Sequence, residues 1–120
     1  MVEITYSTAT NSITIASTST GANATVVFTC PTNHDATIEL LHISNNNNAS
    51  KKVYVQYYNA DTTAYHYILK NNALAGNTAL NIFNAAPMHI HAGDKIVMYG
   101  ETANTIEALI SCKLFFNPAR

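Results

Sequence analysis

Tryptophan is absent from this 120-residue sequence, cysteine occurs twice, proline three times, glycine four times, and only 11% of the residues are charged. Each shortage excludes something. Lys and Arg together number 6 against 7 Asp and Glu, for a net charge of −1. The basic patch needed for phosphate-driven binding is missing, so no nucleic-acid partner is expected. Lys51 and Lys52 are the one adjacent basic pair. No run approaches the roughly 18 apolar residues of a bilayer-spanning helix, and residues 1–10 have neither a basic n-region nor an apolar h-region. No membrane partner and no secretory signal are therefore expected, and the chain is expected to be made in the cytoplasm. The sequence holds no glycine-flanked nucleophile elbow, no phosphate-cradling glycine loop and no carboxylate pairing that suggests glycoside hydrolysis. An enzyme is not expected, and no cofactor is implied. Cys30 and Cys112 each sit in an apolar β-prone run, where burial raises the thiol pKa and leaves a small inert hydrophobe. Buried free thiols are expected, while a disulfide between them stays open, because sequence does not set their Cα separation.

What is present is apolar and uncharged-polar. Apolar residues make up 48%, and the polar load falls on 15 Thr, 15 Asn and 7 Ser. That balance is the reverse of a disordered chain's. A chain this long forms one domain that buries roughly two thirds of its unfolded surface. Thr is β-branched and suits a pleated surface, and Asn tolerates the left-handed turns between strands. Low charge also leaves little self-repulsion between copies, which favours association.

Residues 106–116 carry the clearest pattern. Ile106, Ala108, Ile110, Cys112, Leu114 and Phe116 fall on one face at period two, with Glu107, Ser111 and Lys113 on the other. Eleven residues of such alternation predict a long strand, placed mid-sheet, with one face in a core. Short strands are also predicted at 2–6 and 13–16, at 24–30 with Ala24, Val26, Phe28 and Cys30 on one face, and at 37–44. The apolar residues Ile38, Leu40, Leu41 and Ile43 change phase midway, which predicts a bulge or burial on both faces. Residues 45–50, with four consecutive asparagines, mark a loop. Residues 52–59 and 65–69 form a hairpin, 71–77 a turn, and 78–83, 88–91 and 94–99 three further strands. The sum is an all-β chain of about eight strands, an antiparallel two-sheet β-sandwich or jelly-roll-like fold. Residues 1–20 are read as an N-terminal arm or edge strands, and residues 21–120 as the single sandwich domain.

Two constellations stand out. His89 and His91 point the same way along a strand, and with Asp94 they form a candidate metal site that resembles the His-x-His of cupins. The Glu and the Pro-x-Gly that accompany that motif in cupins are missing here. The plainer reading is an edge pair of histidines before a turn that Asp94 closes. The hairpin carries Tyr54, Tyr57, Tyr58, Tyr65 and Tyr67. Tyrosines on a strand face are either ordinary cross-strand pairs or rigid contact residues for a protein or a sugar.

Residues 38–44 with their asparagine loop, 53–59 and 65–69, the step Met88-His89-Ile90-His91-Ala92-Gly93-Asp94-Lys95-Ile96, and the closing strand 106–116 together carry a family likeness. The chain resembles the small β-rich virion structural proteins of tailed bacteriophages, of the marine and cyanophage type. The resemblance implies a non-enzymatic virion protein assembled in the host cytoplasm. It points first to a capsid decoration or cement subunit bound to the major capsid protein, and alternatively to a tail- or neck-associated module that binds receptor glycan. It also implies a homo-oligomer, with a trimer favoured. Apolar or aromatic character where a monomer would not need it marks the expected interface residues: Val2, Ile4 and Tyr6 in the arm, Tyr54, Tyr57, Tyr58, Tyr65 and Tyr67 in the hairpin, and His89 and His91 near an edge.

Overall fold

The structure, a computed structural model, describes residues 6–83 and 86–118. Its organising element is the strand Ile106–Phe116, which forms because every second side chain is apolar. Ile106, Ala108, Ile110 and Cys112 are buried, and Leu114 packs against their cluster. Phe116 breaks the series at 66% exposure, because it ends the strand opposite His34 at the rim of the sheet. Burying one Ile of this row contributes about 2 kcal/mol, and truncating Ile110 to Ala would cost about 3 kcal/mol.

In chain order the described residues form nine strands: β1 (Tyr6–Ile15), β2 (Thr25–Thr29), β3 (His34–Asn45), β4 (Lys51–Asn59), β5 (Ala64–Leu74), β6 (Ala79–Asn81), β7 (Met88–His91), β8 (Lys95–Gly100) and β9 (Ile106–Phe116). The one helical element among the described residues is a 3-10 turn, Gly21–Asn23. No helix there is long and apolar enough to cross a membrane. Sheet A runs β1-β9-β3, with β6 and β7 both pairing along β3, and sheet B runs β2-β8-β4-β5. All the pairings are antiparallel. The two sheets share one core, in which Ile38, Leu41, Ile43 and Ile110 of sheet A meet Val53, Val55, Ile96 and Met98 of sheet B. The pairs nest: β4 with β5, β3 with β6 and β7, β2 with β8, β1 with β9. A long hairpin rolled over itself gives this order, so the sandwich is jelly-roll-like in its winding.

Three local expectations need correction. Residues 7–12 are not a break between two short strands, because β1 pairs with β9 residue for residue from Tyr6 to Ile15. The long flank of β9 supplies a partner that weak local propensity does not announce. Ala24, Val26, Phe28 and Cys30 do not share a face, since a bulge between Val26 and Phe28 turns Val27 into the core and leaves Val26 exposed. Residues 71–74 are not a turn but the end of β5, kept in the strand past two bulges and a left-handed Asn71 (φ 55°). The phase change in β3 is a bulge: the register shifts between Ile38 and Leu40, so that Ala36 and Ile38 before it and Leu41 and Ile43 after it all face inward.

The asparagine loop is held by its first residue. Asn45 is buried, and its amide donates to the carbonyls of Ala49 and Leu74 (2.9 Å each) while its side-chain oxygen accepts from the Asn47 amide. The loop at Gly76 lies directly against it. A Cβ on Gly76 would sit 2.2 Å from the Asn48 carbonyl oxygen, so glycine is required there by backbone contact.

Candidate interaction surfaces

Alternation along β4 and β8 decides which tyrosines face outward. Val53, Val55 and Tyr57 point to the core side of sheet B, while Tyr54, Gln56 and Tyr58 point away, beside Tyr99, Val97 and Lys95 of β8. Pairing with β5 adds Tyr67 next to Gln56 and Tyr65 next to Tyr58. Tyr54 and Tyr99 stack face to face, with ring centroids 4.3 Å apart and planes 4° apart, and Tyr58 lies 4.7 Å from Tyr65. Tyr67 completes the group 6.4 Å from Tyr54 and is 41% exposed. Ring pairs of this kind add about 1 kcal/mol beyond the area they bury.

The hydroxyls are engaged as well. Tyr54 donates to Asn71 (3.0 Å), and Tyr67 and Tyr99 share a 2.5 Å hydrogen bond. That bond lowers the pKa of Tyr67, whereas burial first and the same bond second raise that of Tyr99. Lys70 and Lys95 lie over the rings of Tyr67 and Tyr58, at 4.9 and 5.4 Å. Part of this face is covered by the chain itself. Buried Gln56 accepts from the Thr20 hydroxyl (3.1 Å) and the Gly21 amide (3.0 Å), which pins the β1–β2 connection across sheet B, where Ala24 joins Val97 and Tyr99 in a small second cluster.

Tyr57 is not part of this surface. Its ring packs on the core and its hydroxyl donates to Asp94 (2.7 Å); burial first, and then that bond, push its pKa up to about 12. Asp94 is itself buried and accepts two further bonds, from the Ala60 and His91 amides at 2.9 Å each. One carboxylate thus ties the β4–β5 connection, the β7–β8 turn and Tyr57 together.

The structure turns the imidazoles of His89 and His91 to partners other than the Asp94 carboxylate; of these residues' groups only the His91 backbone amide reaches it. His91 Nδ1 lies 3.0 Å from Asp35, whose other oxygen accepts from Asn117 (2.9 Å), and His89 Nδ1 lies 2.9 Å from the Thr37 hydroxyl. With Phe115 these side chains line a shallow depression on the outer face of sheet A. Among the described residues no three His, Cys, Asp or Glu side chains are grouped to hold a metal ion. Of the arm residues, Val2 and Ile4 lie outside the described residues. Tyr6 is 55% exposed, with its ring 5.9 Å from Phe115 and Lys113 above it at 4.9 Å.

Tyr99 and Phe115 also belong to these surfaces and are not among the residues expected there from the sequence. The signal was available. Tyr99 falls opposite Ile96 and Met98 in the alternation, and Phe115 falls on the Ser111 and Lys113 side of β9. The cysteines are both buried and free, with pKa values raised to about 11 for Cys30 and about 12 for Cys112, chiefly by burial.

No family model and no curated protein matches the chain. Among solved structures the chain is similar to one described under "Bacillus endospore appendages form a novel family of disulfide-linked pili". The identity there is 12% and the TM-score 0.52, over 97% of this chain and 91% of that one. This likeness is one of fold. A second similarity, to a chain of the T13 viral particle of IBDV, has 11% identity and a TM-score of 0.48, over 93% of this chain and 31% of that one.

Proposed function

We propose that this chain is a non-enzymatic structural subunit of a phage virion, a capsid decoration or cement protein that stabilises the shell through contacts with the major capsid protein. The observation that carries the proposal is the outer face of sheet B. There Tyr54, Tyr58, Tyr65 and Tyr67 form an aromatic surface with Lys70 and Lys95 at its rim, held by ring contacts with one another and by the buried Tyr99, which stacks on Tyr54 and hydrogen-bonds Tyr67. Pre-ordered aromatic rings bind a partner at little entropic cost. The phage-protein likeness of the sequence supports the virion assignment, and the pilus protein of similar fold shows that such a sandwich serves in an assembled structure. Those pili are disulfide-linked, whereas both cysteines here are core residues. Association of this chain is therefore proposed to be non-covalent. Tyr6 and the arm bearing Val2 and Ile4 are proposed to reach a neighbouring subunit, with His89 and His91 at a secondary contact.

The test is co-sedimentation of the purified chain with expanded capsids, followed by thermal melting of the shells. Stoichiometric binding that raises the melting temperature, and that Tyr54→Ala together with Tyr67→Ala weakens, supports the proposal. Capsids that neither bind the chain nor gain stability refute it. The exposure of Tyr67 beside Lys70 favours a second reading, a tail- or neck-associated module that stacks a glycan on that ring. A glycan that binds the isolated chain and is lost on Tyr67→Ala would select it.

A further inference from the structure

Two sheets have four edges, and three of them here are blunted. β2 is five residues long and bulged. β5 carries two bulges, the left-handed Asn71 and Lys70. The far flank of β3 is covered by two short pieces, β6 of three residues and β7 of four. β1 has none of these features. It runs ten residues in unbroken register with β9, and its sequence Tyr6-Ser7-Thr8-Ala9-Thr10-Asn11-Ser12-Ile13-Thr14-Ile15 contains no charge and no proline. Edge strands are normally protected by shortness, charge, proline or bulges, because their unpaired amides and carbonyls offer a template to another strand. A ten-residue edge lacking every one of these is built to be paired.

The structure assigns β1 as a self-association edge, on which the β1 strand of a second copy adds antiparallel about a two-fold axis through Thr10. This deepens the structural-subunit proposal and rests on it only in taking association as the chain's work. Three observations favour a second copy over an unrelated partner. In an isologous contact every side chain meets its own kind, so any charge on β1 would face a like charge, and β1 has none. The net charge of −1 adds no general repulsion between copies. The backbone polarity also fits. The Ile15 carbonyl is bonded to the Asn104 amide on the β9 side (2.9 Å), so by alternation the backbone groups aimed at the open edge are those of Tyr6, Thr8, Thr10, Ser12 and Thr14.

The register follows from matching faces. Outer-face residues of one copy must oppose outer-face residues of the other. Centred on Thr10, the pairing sets Thr10 against Thr10, Thr8 against Ser12 and Tyr6 against Thr14 on the outer face, and Ala9 against Asn11 and Ser7 against Ile13 on the inner. Small hydroxyl side chains lie opposite one another without a clash, and Thr–Thr and Thr–Ser pairs are favourable cross-strand neighbours. The two A sheets become one continuous sheet through the joined β1 strands. Main-chain hydrogen bonds supply the affinity, as in strand-addition complexes.

Sedimentation velocity on the full chain over a wide concentration range tests this. A reversible dimer is expected. Thr10→Lys, which sets two ammonium groups on the axis, is expected to weaken it at least tenfold, while His66→Lys on the β5 edge leaves it unchanged; thermal melting checks that both variants fold. Under mild oxidation Thr10→Cys should give a covalent dimer on a non-reducing gel. Thr8→Cys should not, because the two copies of that position lie about 13 Å apart along the strands. A chain that stays monomeric at all concentrations, a trimer indifferent to Thr10→Lys, or cross-linking by Thr8→Cys in preference to Thr10→Cys overturns the inference. A monomer that still binds capsids would overturn the strand pairing and leave the structural-subunit proposal standing.

Discussion

The two outer faces of the sandwich obey the same period-two alternation and come out chemically unlike. On sheet A the outward residues of β1 and β9 are Tyr6, Thr8, Thr10, Ser12, Thr14, Glu107, Leu109, Ser111, Lys113 and Phe115, a row of mostly small or polar side chains with its rings confined to the Tyr6–Phe115 end. On sheet B they are Tyr54, Tyr58, Tyr65, Tyr67 and Tyr99, linked by stacking, by shared hydroxyls and by the Gln56 clasp on the β1–β2 connection. Sheet B's outer face is ordered in two ways: the β1–β2 connection buries its centre at Gln56, Val97 and Tyr99, and the tyrosines around that centre are fixed by contacts with one another. A rigid aromatic face suits docking to a partner, and an open edge strand lined by small hydroxyl side chains suits repetition of the same subunit.

The largest expected effect falls on what the two faces have in common, the inner core. Cys30, Cys112 and the Tyr57 hydroxyl hold their protons more tightly folded than unfolded, with pKa values raised from 9.0 to about 11, from 9.0 to about 12 and from 10.0 to about 12. The stability they contribute is complete below about pH 9 and is lost as pH rises through 11 to 12. At about 1.4 kcal/mol per pH unit, Cys112 alone accounts for on the order of 3 kcal/mol by pH 11, two units above its unfolded value. Urea melts at pH 8 and pH 11 should differ accordingly, and Cys112→Ala should flatten the difference.

Asp94→Ala comes next, since it strands three donors at once and should cost about 3 kcal/mol in denaturant unfolding. The contrast between the faces then sets a pair of smaller effects. Tyr54→Ala removes the stack on Tyr99 and should cost about 2 kcal/mol. Gln56→Ala frees the β1–β2 connection at about 1 kcal/mol and should speed amide exchange at Gly21. Thr8→Ala, on sheet A, should stay within about 0.5 kcal/mol. Equal costs for Tyr54→Ala and Thr8→Ala would erase the distinction between the faces.

Much of this arrangement was legible in the sequence, for definite reasons. Strict alternation in β9 and the phase slip in β3 both have a purely local signature, and each is found as expected, the slip as a bulge between Ile38 and Leu40. β1 was not legible as one strand because Ser7, Thr8, Ala9, Thr10 and Asn11 have no pattern of their own; the partner β9 creates it. Val27 was misplaced because a bulge leaves no mark in a short run of apolar residues. Among the candidate residues, the tyrosines gathered as their alternation implies, and Tyr57 separated by the same rule. The link between His91 and Asp35 spans 56 positions and depends on β3 pairing with β7, which no local pattern encodes. Asp94 as a turn-closing side chain was readable from its place after Ala92-Gly93, although its reach to Tyr57 and Ala60 was not.

Hydrogen–deuterium exchange on the chain bound to capsids, compared with the free chain, tests most directly whether the aromatic face is where the protein does its work. Residues 54–67 should gain protection on binding, and Tyr54→Ala should abolish the gain. Protection confined to other segments, or none anywhere on particles that retain the chain, would contradict the assignment of sheet B as the docking face.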